Sequence, residues 1–166
     1  MNILVTGGAG YIGAMLVPKL LADGHNVGVL DTGWFGNGHL PKDNGNIILL
    51  HGDVRDGLPD MGWDAVIWLA SVSNNDMYGI NYSITHAVNI CVKKGCPVKF
   101  IYASSVAVLD PTSDYAKDKL ACEAQLVGSG AIIVRSASVV GYSPNMRFDT
   151  TINKMPHDAY KTGVIT

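Results

Sequence analysis

The sequence predicts a doubly wound α/β domain, a parallel sheet with helices on both faces, and three observations lead to it. Short continuous apolar runs alternate with helix-like stretches along the chain. A glycine-rich turn stands between the first such run and the first helix. The 166 residues amount to one domain's worth of chain. Runs of four or five apolar residues separated by helices are the pattern of parallel strands covered on both faces.

The elements follow in order. Residues 2–6 (Asn-Ile-Leu-Val-Thr) form the first strand and stop at Gly7-Gly8. Ile12, Leu16 and Leu20 recur at i, i+4 and i+8, one face of a helix ending near Asp23-Gly24. Pro18 removes one hydrogen bond from that helix and predicts a kink. Strands are expected at 27–30, at 47–50 after a Gly/Asn/Pro-rich loop, and at 65–69. A helix over about 80–94 precedes a strand at 98–102, a helix over about 115–127 precedes a strand at 131–134, and a last helix covers 151–162. Val164-Ile165 reads as the opening of a further strand.

Composition narrows the class. Apolar residues at 48% supply a core, and charged residues are only 16%, which excludes a disordered chain. Twelve Lys+Arg against 14 Asp+Glu leave no basic surplus to grip nucleic acid or an anionic membrane. No apolar run reaches the ~18 residues of a membrane span and no charged leader precedes the first strand, so a cytoplasmic globular protein is expected. Cys91, Cys96 and Cys122 are odd in number without C-x-x-C spacing and read as reduced, buried thiols. Five scattered histidines lack i, i+4 pairing, and no metal site is expected.

Gly7, Gly10 and Gly13 form G-x-x-G-x-x-G between the first strand and the first helix, the context that a phosphate-binding loop requires. Glycines there permit a tight turn and a close approach of backbone N–H groups to a pyrophosphate, which the helix N-terminus also favours. Asp31 ends the second strand, where a carboxylate accepts from an adenosine ribose 2′-OH and repels a 2′-phosphate, favouring NAD over NADP. Asp53, after the third strand, either accepts from an adenine amino group or is a turn residue. Trp34 and Phe35 either flank the adenosine or cover the sheet edge, whereas Trp63 and Trp68 read as core.

Tyr115 and Lys119 lie four apart at a helix start and project from one face. A phenol with a pKa of about 10 is a poor base near neutrality. A lysine ammonium beside it, with a positive nicotinamide ring, favours the phenolate. The preceding strand exits through Ala103-Ser104-Ser105, placing hydroxyls at the carboxyl end of the sheet, where ligands bind.

These motifs resemble the extended short-chain dehydrogenase/reductase family, in its nucleotide-sugar epimerase/dehydratase branch. The matching stretches are TGGAGYIG at 6–13, Asp31, GDVRD at 52–56, WLAS at 68–71, YASS at 102–105, YAKDK at 115–119, and the run VVGYSPNMRFDTTIN at 139–153. The resemblance implies a Rossmann-like fold, NAD as cofactor and a nucleotide-sugar substrate. It assigns Gly7, Gly10, Tyr11, Ile12 and Gly13 to the pyrophosphate, Asp31 to the adenosine ribose, and Asp53 with Val54 to the adenine. Leu69, Ala70 and Ser71 line the cofactor, and Asn81 matches an active-site asparagine. Ser105 hydrogen-bonds the reacting hydroxyl, Tyr115 is the acid/base, and Lys119 holds the nicotinamide ribose and tunes Tyr115. Asn153 matches a contact to the sugar-nucleotide diphosphate, where Arg147 adds charge.

The implied reaction is transient oxidation of a sugar hydroxyl, rotation of the keto-sugar and return of hydride to its other face. Resembling dehydratases carry Asp-Glu directly after the catalytic Ser/Thr. Here Val106-Ala107 follow Ser105 and neither donates a proton, which disfavours dehydration. Relatives continue into a C-terminal substrate lobe that this sequence largely lacks, so a NAD-binding module without turnover is the alternative expectation. Relatives often pair as homodimers through two helices, corresponding here to about 80–94 and 115–127. Ile84, Val88 and Val92 serve either that interface or the sheet.

Overall fold

Six parallel strands form one sheet: β1 (Asn2–Thr6), β2 (Asn26–Asp31), β3 (Ile47–His51), β4 (Ala65–Trp68), β5 (Lys99–Ser105) and β6 (Ile132–Ser136). The computed structural model describes residues 1–72, 84, 86–88 and 99–165. The strand order is β3-β2-β1-β4-β5-β6, and every neighbouring pair is parallel. The order reverses between β1 and β4, which opens a crevice outside their carboxyl ends. Helices fully within the described residues are α1 (Gly13–Ala22), α2 (Asp114–Leu126) and α3 (Thr151–Thr162). Short 3₁₀ turns follow β3 at Val54–Asp56 and β5 at Val106–Leu109. The doubly wound, Rossmann-like sheet expected from the sequence is therefore the observed architecture.

Alternation along β1 sends successive side chains to two cores. Leu4 joins Val66, Trp68, Phe100 and Tyr102 beneath Val88, Cys122 and Leu126. Val5 joins Ile3, Val27 and Val29 beneath Val17 and Leu21 of α1. Each aliphatic side chain fully buried in this way contributes roughly 1.5–3 kcal/mol. Trp68 is fully buried, and Trp63 stacks over Gly28, where a Cβ would lie 2.3 Å from the indole.

Several expectations are corrected. The buried stripe of α1 is Gly13, Ala14, Val17 and Leu21, whereas Ile12 is exposed and Leu16 and Leu20 are half-buried. The rotation is set at Gly13, where a Cβ would stand 2.3 Å from the Gly8 carbonyl oxygen, so the helix meets the loop backbone there. The helix continues through Pro18, which is exposed. β6 is an edge strand and is not covered on both faces. Ile133 packs on the Tyr102 core, while Ile132 and Val134 alternate to the other side and are exposed. Val164 and Ile165 are exposed and belong to no strand.

Residues 84 and 86–88 are helical, and Ile84 and Val88 are buried in the core under the sheet, so these two serve the sheet. The remainder of the helix expected over 80–94, with Asn81, Cys91, Val92 and Cys96, lies outside the described residues. Among the described residues, no helix is long and apolar enough to cross a membrane.

Candidate functional site

A cleft of about 610 Å³ opens at the carboxyl ends of the strands. One wall is the glycine loop. Gly7 has φ +68° and a Cβ there would lie 2.7 Å from the Ala70 amide nitrogen, so only glycine lets the β1 exit pass so close to the β4 exit. The turn closes through a Gly10 N–H to Gly7 C=O bond of 3.1 Å. No side chain caps α1 and its first turn carries no acidic residue, so its N-terminus keeps donors and dipole available to an anion.

Asp31 locks this wall to the end of β2. Its Oδ2 accepts from the Ala9 amide at 3.0 Å and its Oδ1 from the Gly33 amide at 2.8 Å. Trp34 and Phe35 follow on the rim, both exposed and both lining the cleft. Asp53 and Val54 line it as well. The Asp53 carboxylate is engaged by Arg55, with Nη2 at 2.6 Å and Nε at 2.9 Å, and this guanidinium holds its pKa below the usual carboxylate range.

The opposite wall is built by β5, α2 and the segment after β6. Ser113 caps α2 by accepting from the Ala116 amide at 3.2 Å, which fixes Tyr115 in the first turn. Tyr115 and Ser105 line the same cleft, and Ser105 Oγ accepts from the Ala107 amide at 3.2 Å. One turn further, Lys119 is buried and its Nζ donates to the Ala103 carbonyl oxygen at 2.7 Å. The ammonium stands 4.8 Å from the Tyr102 ring centre and 5.7 Å from that of Tyr115.

Burial pushes the Lys119 ammonium down to about 8, against the opposing pull of Cys122 and Glu123. Tyr115 differs from expectation. Burial raises its phenol above the ordinary value, and the groups opposing that rise are the neighbouring Ser105 hydroxyl and the charge of Arg147. Desolvation of a half-buried phenol outweighs both. Arg147 lines the same cleft and is paired with Asp149.

Of the residues singled out in the sequence, the structure gathers Gly7, Gly10, Tyr11, Ile12, Gly13, Asp31, Asp53, Val54, Leu69, Ala70, Ser71, Ser105, Tyr115, Lys119 and Arg147 around this one cleft. Asn81 lies outside the described residues, and among the described ones Asn153 is the exception. It is buried outside the cleft lining, and its amide bonds the Tyr11 hydroxyl and the Gly141 N–H.

Sequence reasoning also missed a buried carboxylate under the site. Glu123 accepts from Ser104 Oγ at 2.5 Å and forms a bidentate pair with Arg135, with Nη2 to Oε2 at 2.6 Å. Arg135 first, and Ser104 with it, hold its pKa down. Its i, i+4 spacing from Lys119 was the available signal. Ser104 on β5 and Arg135 on β6 are partners that only the folded sheet brings to it.

Residues 3–161 match the profile of the NAD dependent epimerase/dehydratase family. A UDP-glucose 4-epimerase of Halalkalibacterium halodurans is 30% identical over 182 aligned positions, covering 89% of this chain and 53% of that protein. A crystal structure of a UDP-galactose 4-epimerase superposes with a TM-score of 0.77 at 27% identity, over 98% of this chain and 63% of that one. A dTDP-glucose 4,6-dehydratase of Bacillus anthracis, solved with NAD, shares the fold with a TM-score of 0.78 at 21% identity, over 97% and 62%. The chain thus spans little more than half the length of the first of these proteins and under two thirds of the other two. With nearly all of its own length matched, the chain belongs to the NAD-dependent epimerase/dehydratase family.

Proposed function

We propose that this cleft binds NAD and acts on a nucleotide sugar, as a cytoplasmic epimerase or a related oxidoreductase. The observation that carries the reading is the sharing of one cleft by the glycine loop and the Ser105–Tyr115–Lys119 group. The residues present fit a dinucleotide. The volume lies within the roughly 300–1,000 Å³ of small-molecule sites. At Gly7 and Gly13 a Cβ would strike the backbone of Ala70 and Gly8, so only glycine lets the loop pack this closely beside the cleft.

The backbone of Gly7, Gly10, Tyr11, Ile12 and Gly13 would hold the pyrophosphate at the uncapped start of α1. Asp31 would hold the adenosine ribose, Asp53 and Val54 the adenine, and Leu69, Ala70 and Ser71 the surface beyond. Bound NAD supplies the hydride acceptor and donor. Tyr115 Oη would take the proton of the sugar hydroxyl and later return it, while the Ser105 hydroxyl, in the same cleft, would order that group. The Arg147 charge lowers the cost of the phenolate, and Lys119, anchored on Ala103, would hold the nicotinamide ribose. Val106-Ala107 place no acid beside Ser105, which favours epimerisation over loss of a hydroxyl.

The test is a product assay. The chain is incubated with NAD and a panel of UDP-, GDP- and dTDP-sugars, and the products are resolved by chromatography. Formation of an epimer supports the reading and names the substrate. NAD binding without conversion of any sugar reduces the chain to a dinucleotide-binding module.

A further inference from the structure

Four hydrogen bonds tie the glycine loop to a segment 130 or more residues away. Ser143 Oγ donates to the Tyr11 carbonyl at 2.8 Å, and Asn145 Nδ2 donates to the Ala9 carbonyl at 2.7 Å. The Tyr11 hydroxyl donates to the Gly141 carbonyl at 2.5 Å and accepts from Asn153 Nδ2 at 3.2 Å. The other end of the same amide, Asn153 Oδ1, accepts from the Gly141 N–H at 3.3 Å. Ser143 is 1% exposed and Asn153 5%. Leaving the buried Asn153 amide without partners is costly, so it holds Tyr11 and Gly141 together as a clasp.

The clasp acts on the peptide planes of the loop. In a trans peptide the C=O and the following N–H point in opposite directions. Holding the Tyr11 carbonyl on Ser143 therefore fixes the Ile12 N–H at the uncapped start of α1. Holding the Ala9 carbonyl on Asn145 fixes the Gly10 N–H, which closes the turn onto Gly7. Resting on the reading of the cleft as a NAD site, we infer that Asn153 and the Tyr11 hydroxyl are positioning residues. They clasp the segment after β6 to the glycine loop, keeping its turn closed and the Ile12 N–H ready for a pyrophosphate. Asn153 thus acts on the dinucleotide through the loop, from outside the cleft.

The test compares ADP-ribose, which carries the pyrophosphate, with adenosine, which does not, by calorimetric titration of the wild type, Tyr11→Phe, Asn153→Ala and the double variant. Each single change is expected to weaken ADP-ribose about tenfold, the cost of one well-placed hydrogen bond. Adenosine should stay within about twofold. The double variant should be no weaker than the weaker single, because the two groups act as one clasp. Unchanged ADP-ribose affinity, an equal loss for both ligands, or additive losses overturn the inference and leave the NAD reading standing. A wild type that does not bind ADP-ribose overturns the NAD reading itself.

Discussion

Lys119 Nζ stands 5.7 Å from the centre of the Tyr115 ring, one helical turn along α2, with its charge anchored on the Ala103 carbonyl. At 5% exposure this ammonium is desolvated, and its pKa falls from 10.5 to about 8. The sign of the linkage follows. Between those values the unfolded chain binds a proton that the folded chain has lost, so stability rises with pH across that window. Below about 8 the buried charge costs the fold roughly 3 kcal/mol. The burial that stations the charge beside Tyr115 is thus a burden on stability.

That cost is measurable by denaturant unfolding of the wild type and Lys119→Met at pH ~7 and pH ~9.5, below the range where the raised Tyr115 titrates. The wild type should gain roughly 2 kcal/mol relative to the variant over this interval. A difference between the two proteins that does not change with pH contradicts the account of Lys119.

Gly7 and Gly10 should fail in different ways. At Gly7 an added Cβ meets the Ala70 backbone at 2.7 Å and the φ of +68° adds strain, so Gly7→Ala should lose about 2–4 kcal/mol of stability. At Gly10 the Cβ meets only the Gly7 carbonyl oxygen, at 3.2 Å. Gly10→Ala should therefore fold with a loss of about 1 kcal/mol or less, yet bind NAD at least ~10-fold more weakly, because the methyl occupies the cleft wall. Thermal melts paired with NAD titrations separate the two effects.

Asp31→Ala removes the acceptor of two backbone amides, those of Ala9 and Gly33. Leaving such donors unsatisfied costs roughly 1–3 kcal/mol, and a melt should show it. The change should also erase most of the preference for NAD over NADP, since no carboxylate remains to repel a 2′-phosphate. Parallel titrations with both dinucleotides measure that ratio. A wild type that prefers NADP contradicts the role given to Asp31.

What could be read from the sequence was what is local. Apolar runs marked the strands, and the glycine spacing, Asp31 and the Tyr115–Lys119 pair lie on single elements or their junctions. What could not be read depends on partners distant in the chain. The rotation of α1, which buries Ala14, Val17 and Leu21 in place of the expected Ile12, Leu16 and Leu20, follows from a Gly13–Gly8 contact that periodicity alone does not show. The 131–134 run has the composition of a central strand, and only the sheet order makes β6 an edge. Asn153 belongs to a matching motif, yet its amide is spent on Tyr11, 142 residues away. Glu123 becomes a buried pair only because β5 and β6 bring Ser104 and Arg135 to it.

The central claim is that Tyr115 is the acid/base of a NAD-dependent site acting on a nucleotide sugar. The most direct test measures NAD affinity and nucleotide-sugar conversion for the wild type and Tyr115→Phe side by side. The variant keeps the ring and loses only the hydroxyl, so NAD affinity should stay within about twofold while conversion falls at least ~100-fold. Conversion by Tyr115→Phe at the wild-type rate would contradict the assignment.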